Sequence, residues 1–441
     1  MWQELTGALA KLGRKPIKTL SPKQTEVVEW MRSREDAGYG LIVWLMRSGK
    51  TLPVCDRLSK LPPKTKVLVV CPPQVVPVWH AEWKAYKTGN VPRLHVISSG
   101  KLLPKHREAI GRDWDVIVAD EIHDYRHFSK RYQTLEWLAK NAWMCIGLTG
   151  TPIDRWLSEL YYPLTWLSGG TFFGKYISKD VFHKEYCTPV NIRLGKHSPM
   201  EIRDDLRETF MAAVGEVSHT WANPLVEPPT HEVWEYPLTQ HQKHLIAMVM
   251  EGIRPPHPFY KPDMAGMKKM HRKGKGRQLY GGFMIDEKSD VMPDFCATWK
   301  WFSLSLLVAR IGYKRLVVWY TFSQEVIEIE DTLEQVFGAR VKTYTQKALE
   351  AFRRDEVDVL ICHPKAAGAG VDISHAESCI FVSRCANWTA LMQAFYRMAG
   401  WSQGGKTVYH MVANHPMDKD DYGKMWEKAQ ATEEFYHEGQ G

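Results

Sequence analysis

The amino-acid sequence predicts an α/β fold made of two parallel-sheet domains in tandem, with a mostly helical insertion and linker between them. Three observations carry this expectation. Short, continuously apolar runs alternate with amphipathic stretches in the first third of the chain. The same alternation returns in the last third, and between about Thr171 and Cys296 it fades into Pro-rich pieces and a Gly/Lys-rich stretch. A chain of 441 residues has room for such an arrangement, since one domain takes roughly 150 residues.

In the first domain, residues 1–170, the runs Leu41–Met46, Val67–Cys71, Val116–Ala119 and Met144–Leu148 have the length and the lack of alternation of strands buried on both faces. Residues 171–296 form the expected insertion, punctuated by Glu227-Pro228-Pro229 and Pro255-Pro256-His257-Pro258. In the second domain, residues 297–441, the strand-like runs are Leu316–Phe322, Val357–Cys362, Cys379–Ser383 and Thr407–Val412. They are separated by helical segments such as Val326–Phe337 and Thr389–Ala399.

With 44% hydrophobic and 24% charged residues the composition is that of a folded globular protein rather than a disordered one. No apolar run approaches the roughly 18 residues that span a bilayer. The start, Met1-Trp2-Gln3-Glu4, lacks a basic region followed by an apolar one, so a cytoplasmic location is expected. Eight cysteines without a Cys-x-x-Cys pair read as buried free thiols, and His183 with Cys187, the one metal-like spacing, does not close a zinc site. A net charge of +8 permits a polyanionic partner without demanding one.

Ser48-Gly49-Lys50-Thr51 follows the run Leu41–Met46 and opens an amphipathic helix, the setting that a phosphate-binding loop requires. Backbone N–H groups at Ser48 and Gly49, the Lys50 ammonium and the Thr51 hydroxyl, the last as a Mg²⁺ ligand, are the candidates to hold the phosphates of ATP. The first glycine of the usual eight-residue loop falls here at Trp44, and Arg47 either touches a phosphate or points to solvent. Downstream, Asp115-Val116-Ile117-Val118-Ala119-Asp120-Glu121-Ile122-His123 is a buried strand that ends in two carboxylates, at the sheet edge where open α/β folds bind ligands. Asp120 is the candidate second ligand of Mg²⁺ and Glu121 the candidate general base, with His123 beside them on the nucleotide side. An acidic cap on the next helix is the alternative for Asp-Glu alone.

Taken in order with Leu148-Thr149-Gly150-Thr151-Pro152, these signals resemble the superfamily-two helicases, and the residues between them resemble the Swi/Snf-like DNA translocases. Leu20-Ser21-Pro22-Lys23-Gln24 looks like that family's adenine-reading segment, with Gln24 as the base contact. Val67–Pro73, followed by Trp79 and Glu82-Trp83, resembles its next motif. Val317–Ser323, Lys365–Asp372 and Trp388 with Gln393-Ala394-Phe395-Tyr396-Arg397 resemble motifs four to six. The resemblance implies two RecA-like domains that close on Mg²⁺ and ATP, with Gly370, Asp372 and Gln393 near the nucleotide and Arg397 sensing the γ-phosphate. It implies Thr149 and Thr151 on the nucleic-acid track, and double-stranded or branched DNA as the partner. The activity implied is that of an ATP-dependent double-stranded DNA translocase that remodels protein–DNA complexes or branched DNA. A catalytically weakened nucleotide-dependent clamp and a strand-separating helicase are the alternatives. One motor per chain is compatible with a monomer, and the compact form resembles virus-encoded members, which implies a host cytoplasm.

Three departures stand out. Motif six has Gly400 where the family carries a second arginine, leaving Arg397 or a neighbour such as Arg384. The phosphate loop reads Trp44-Leu45-Met46-Arg47-Ser48, and Ile122 stands where alanine is usual. The densest basic run, Lys268 to Arg277, is broken by glycines and reads as a loop. Its Lys268, Lys269, Arg272, Lys273 and Lys275 are candidate contacts to DNA phosphates, with a solvated linker as the alternative. Trp79 and Trp83, four apart, read as core, and Trp388 as either DNA-facing or packed under the motif-six helix.

Overall fold

The computed structural model describes residues 19–86, 91–171, 177–193, 198–223, 229–257, 260, 262–286, 290–367, 371–384, 388–398 and 406–439. The chain divides into two compact units, residues 1–224 with 428–441, and residues 225–427. No helix among the described residues is long and apolar enough to cross a membrane.

The first unit is built on β1 (Tyr39–Trp44), β2 (Lys66–Cys71), β3 (Arg93–Ser98), β4 (Val116–Asp120), β5 (Met144–Thr149) and, after a small antiparallel pair β6 (Cys187–Pro189) and β7 (Met200–Ile202), β8 (Ser218–Trp221). Its sheet has the order β3-β2-β4-β5-β1-β8, with every pairing parallel. Strands in such a sheet are buried on both faces, which is why β2, β4 and β5 read as unbroken apolar runs. One face packs Val67, Val69, Val116 and Val118 against Val27, Val54, Leu58 and Trp79 from the helices Pro22–Ser33, Thr51–Ser59 and Val76–Tyr86.

The second unit repeats the plan with β9 (Thr230–Tyr236), the short antiparallel pair β10 (Met284–Ile285) and β11 (Val291–Met292), then β12 (Leu316–Trp319), β13 (Val341–Thr343), β14 (Val359–Cys362), β15 (Ser378–Phe381) and β16 (Thr407–Ala413). The order is β13-β14-β12-β15-β16-β9, again all parallel. Both units are RecA-like α/β layers: a parallel sheet with helices packed around it.

Two features differ from the sequence expectation. The segment read as a helical insertion contributes an edge strand to each sheet, β8 to the first and β9 to the second. β8, Ser-His-Thr-Trp, has a single apolar residue and β9, Thr-His-Glu-Val-Trp-Glu-Tyr, mixes polar with apolar ones, so both lack the continuous apolar run of a central strand. The basic run expected to be a loop is the helix Lys269–Tyr280. Its Gly276 is buried against Met417 and Ile246, so the glycine serves close packing rather than a turn.

Candidate nucleotide-binding site

At the carboxyl end of β1 the chain makes a six-residue connection, Leu45 to Lys50, into the helix Thr51–Ser59. Two residues in it are left-handed, Arg47 at φ 66° and Gly49 at φ 71°. For Arg47 that conformation costs about 1 kcal/mol, and the surrounding contacts hold it. Gln24 is the main clamp: its Nε2 donates to the Gly49 carbonyl at 3.1 Å, while its Oε1 accepts from Ser21 N in a capping box that starts the helix Pro22–Ser33. A Cβ at Gly49 would lie 2.9 Å from Gln24 Nε2, so no other residue fits without displacing the clamp. Gln24, expected as a base contact, holds the backbone of the Leu45–Lys50 connection in this structure.

Lys50 stands at the N-cap of its helix, and its Nζ donates to the Trp44 carbonyl at 2.8 Å. Thr51 is the first helical residue. Ser48 is 1% exposed, and its Oγ has no hydrogen-bond partner among the described residues. A buried hydroxyl without a partner is costly, and here it sits two residues before the N-cap of a helix, where anions are favoured.

Asp120 ends β4 on the same edge of the sheet. Its Oδ2 accepts the indole N–H of buried Trp79 at 2.9 Å and its Oδ1 accepts Glu121 N at 3.1 Å, which fixes the carboxylate's orientation. Glu121 is left-handed, at φ 56° and ψ 52°, a turn that aims its side chain away from the strand direction. Glu121 Oε2 lies 3.3 Å from His123 Nδ1. His123 is buried, and burial first, then the charges of Arg126 and Lys50, hold its pKa well below the ordinary value. The contact is therefore carboxylate to neutral imidazole, not an ion pair. Thr149 Oγ1 at 2.9 Å and Thr151 Oγ1 at 3.3 Å complete the surroundings of Nδ1.

The strand β5 supplies the last wall. Gly147 has Ile122 Cδ1 only 2.7 Å from where a Cβ would stand, so the large Ile122 is accommodated by the missing side chain opposite. At Gly150 a Cβ would meet Met46 Cγ at 2.7 Å, Met46 N at 3.1 Å and Lys50 Nζ at 3.2 Å. The Thr149–Thr151 turn is thus packed directly against the phosphate loop. The loop that follows is capped by Glu159, which accepts from the N–H groups of Asp154, Arg155 and Trp156 and pairs with Arg126 at 3.0 Å.

No protein-family model and no curated protein matches the sequence. Among solved structures the chain is similar to the Sulfolobus solfataricus SWI2/SNF2 ATPase core in complex with dsDNA, at 18% identity and a TM-score of 0.43, over 95% of this chain and 96% of that one.

Within the first unit, then, Gln24, Ser48, Gly49, Lys50, Thr51, Asp120, Glu121 and His123 converge at the carboxyl ends of β1, β4 and β5. Thr149 and Thr151, expected on the nucleic-acid track, are each 1% exposed with their hydroxyls on His123; in this structure they position that ring. Sequence reasoning took Trp79 for core. It is buried, but a buried indole N–H needs an acceptor, and that requirement was the available signal for its bond to Asp120. A cavity of about 1390 Å³ in the same unit lies along β8, between Trp30, His219 and Met211, and is lined by none of the convergent residues.

In the second unit Gln393 and Arg397 lie one turn apart on the helix Trp388–Met398, Gln393 buried and Arg397 half-buried. Asp372 is in an exposed loop, its carboxylate accepting Ser374 N and its carbonyl accepting from Arg353. Gly370, Gly400 and the side chain of Trp388 lie outside the described residues. Arg384 does not offer itself as a second finger. Its guanidinium is buried, donating to the Met411 carbonyl at 2.7 Å and to Asp418 at 2.6 Å. Three of the five candidate phosphate contacts on the basic helix are engaged internally. Lys273 pairs with Asp421 at 2.5 Å, Lys275 donates to the Ile285 carbonyl, and Arg272 folds against Gly252 with a buried Nε. Lys268 and Lys269 are exposed at the helix start.

Proposed function

We propose that the chain is an ATP-dependent translocase on double-stranded DNA, and that its nucleotide lies at the carboxyl edge of the first sheet. The observation that carries this is the packing of Gly150 against Met46 and Lys50 beside the Asp120–Glu121 pair. It gathers a lysine, a helix N-terminus and two carboxylates at the edge where such sheets bind ligands. The residues present fit Mg²⁺ and ATP. The unsatisfied Ser48 hydroxyl and the helix start suit phosphate oxygens, and an oriented Asp120 with the Thr51 hydroxyl suits a hard cation. When bound, Mg²⁺ and ATP supply a phosphoanhydride and the charge that polarises it.

The protein's own part is to position and to move one proton. Lys50, Ser48 and Thr51 would hold phosphate oxygens, Asp120 with Thr51 would hold the cation, and Glu121 would take the proton from the attacking water. His123 beside Glu121 is held neutral, so this contact adds no positive charge to the carboxylate. Arg397 is the proposed sensor of the γ-phosphate, and exposed Lys268 and Lys269 are the proposed sequence-blind contacts to DNA phosphate. ATP turnover measured with duplex, single-stranded and forked DNA at two salt concentrations tests the reading. Duplex DNA is expected to stimulate turnover, and Lys50→Ala or Glu121→Gln to abolish it by about 10³-fold or more. Arg384 is engaged by Met411 and Asp418, and Arg397 is the proposed single finger of motif six; ATP binding with turnover no faster than Lys50→Ala would favour a nucleotide-dependent clamp instead.

A further inference from the structure

The chain's last described residues reach the candidate site from 286 positions away in sequence. Residues 428–441 belong to the first unit, and there Tyr436 donates its hydroxyl to the Gly150 carbonyl at 2.9 Å in a buried bond. The segment is seated by buried Phe435 and Tyr436, and by Lys428 Nζ on Asp154 Oδ2 at 2.5 Å. Arg207 on the helix Asp204–Val217 holds its end through Glu438 at 3.0 Å. Two of these tethers fall on the Gly150–Asp154 stretch, one on the residue packed beside Lys50 and one on the loop that Glu159 caps.

From this geometry we infer that Tyr436 is a positioning residue for the phosphate loop, and that the C-terminal segment is a working part of the nucleotide site. The inference rests on the ATP reading of that site. Gly150 has no side chain with which to anchor itself; Met46 Cγ lies closer than a Cβ would tolerate, and Lys50 Nζ would be 3.2 Å from one. What fixes its distance from the Lys50 ammonium is its backbone, and the Tyr436 hydroxyl is the side-chain partner of that backbone's carbonyl. Removing the hydroxyl leaves a buried carbonyl unsatisfied, and the turn is then free to shift toward or away from the loop. A displacement of a fraction of an ångström matters to a charge that must meet phosphate oxygens. Tyr436 touches neither nucleotide nor reacting atoms; it acts through Gly150 on Lys50.

Tyr436→Phe keeps the ring and its packing and deletes only the donor. Thr432→Val is the control: it deletes a buried hydroxyl from the same segment, one whose bond among the described residues is to the Lys428 carbonyl of its own helix. For both full-length variants the Kd of a fluorescent N-methylanthraniloyl-ATP, the KM for ATP and kcat are measured below the onset of thermal unfolding. Tyr436→Phe is expected to weaken the analogue and raise KM by threefold or more, with a smaller change in kcat, while Thr432→Val stays within 1.5-fold of the parent. Equal effects of the two variants, or a Tyr436→Phe variant that binds and turns over like the parent, would overturn the positioning role and leave the ATP reading standing. A parent protein that binds no analogue and turns over no ATP would instead remove the ATP reading, and the inference with it.

Discussion

Trp79 and Lys300 show how single side chains set the chemistry of each unit. The Trp79 indole orients Asp120, so Trp79→Phe keeps the buried aromatic volume and frees the carboxylate to rotate. Loss of a partner behind a metal ligand typically costs about 10–100-fold in affinity or activity. The Mg²⁺ concentration for half-maximal ATP turnover is expected to rise by about tenfold with the circular dichroism unchanged, and unaltered Mg²⁺ dependence would remove Trp79 from the site. In the second unit Lys300 and Glu325 form an ion pair at 2.5 Å, each 1% exposed. Glu325 also accepts from Thr321 N, Phe322 N and Ser383 Oγ, tying the ends of β12 and β15 together. Burial pushes the Glu325 carboxyl up, but the Lys300 charge and hydrogen bond, with those of Ser383 and Thr321, outweigh it and hold the pKa below its ordinary value. The pair's contribution is therefore full above the ordinary carboxylate pKa and is lost as the pH falls. Lys300→Ala strands a buried carboxylate, and a destabilisation of about 3–5 kcal/mol is expected in the urea midpoint; a loss under 1 kcal/mol would mean that water reaches Glu325.

At the scale of an element, the helix Lys269–Tyr280 shows why some of the fold was hidden from sequence. Two glycines and a run of cations suggested a loop, yet the run folds as a helix. Gln242 Nε2 caps the Leu279 carbonyl at 2.8 Å, Arg277 chelates Asp421 at 2.6 and 2.9 Å, and Gly276 admits Met417. Each of those partners is distant in the chain, so tertiary contacts override the local propensity. The two glycines then have different fates. A Cβ at Gly274 meets nothing within 4 Å, whereas at Gly276 it would come within 3.1 Å of Met417 Cε. Gly274→Ala is expected to stabilise the second unit by about 0.5–1 kcal/mol through backbone entropy. Gly276→Ala is expected to give back that gain, or more, in displacing the methionine. Thermal melts of the two variants decide it, and a Gly274→Ala protein less stable than the parent would show that the segment is not helical in solution.

For the molecule as a whole, what could be read in the sequence followed burial and local spacing. β1, β2, β4, β5, β12 and β14 were legible because strands covered on both faces are continuously apolar. β3, β8, β9 and β13 were not, because each lies at a sheet edge and mixes polar with apolar residues, as His95 and Lys342 do. Lys50, Asp120 and Glu121 were legible from short-range motifs, while Trp79 on Asp120 and Tyr436 on Gly150 join residues 41 and 286 apart and leave no local trace. The same contrast between units extends to pH. In the first unit burial, reinforced by Glu159, pushes Glu201 up to about 7, although its Oε1 accepts Ile202 N and Leu157 N. The folded state then keeps a proton that the unfolded chain has released. The contribution is full below the ordinary value of 4.5 and is lost as the pH rises through about 7. In the second unit burial pushes His231, bonded to His410 at 2.9 Å, down to about 4, so its contribution is full above 6.5 and is lost as the pH falls toward 4. Glu201→Gln, which cannot titrate, should therefore gain on the parent steadily from pH 4.5 to 7, by about 1–2 kcal/mol after allowing for solvent screening. Calorimetry of the first unit's transition reads that difference, and a gap between the two proteins that stays constant with pH would show that Glu201 is solvated and titrates as an ordinary carboxylate.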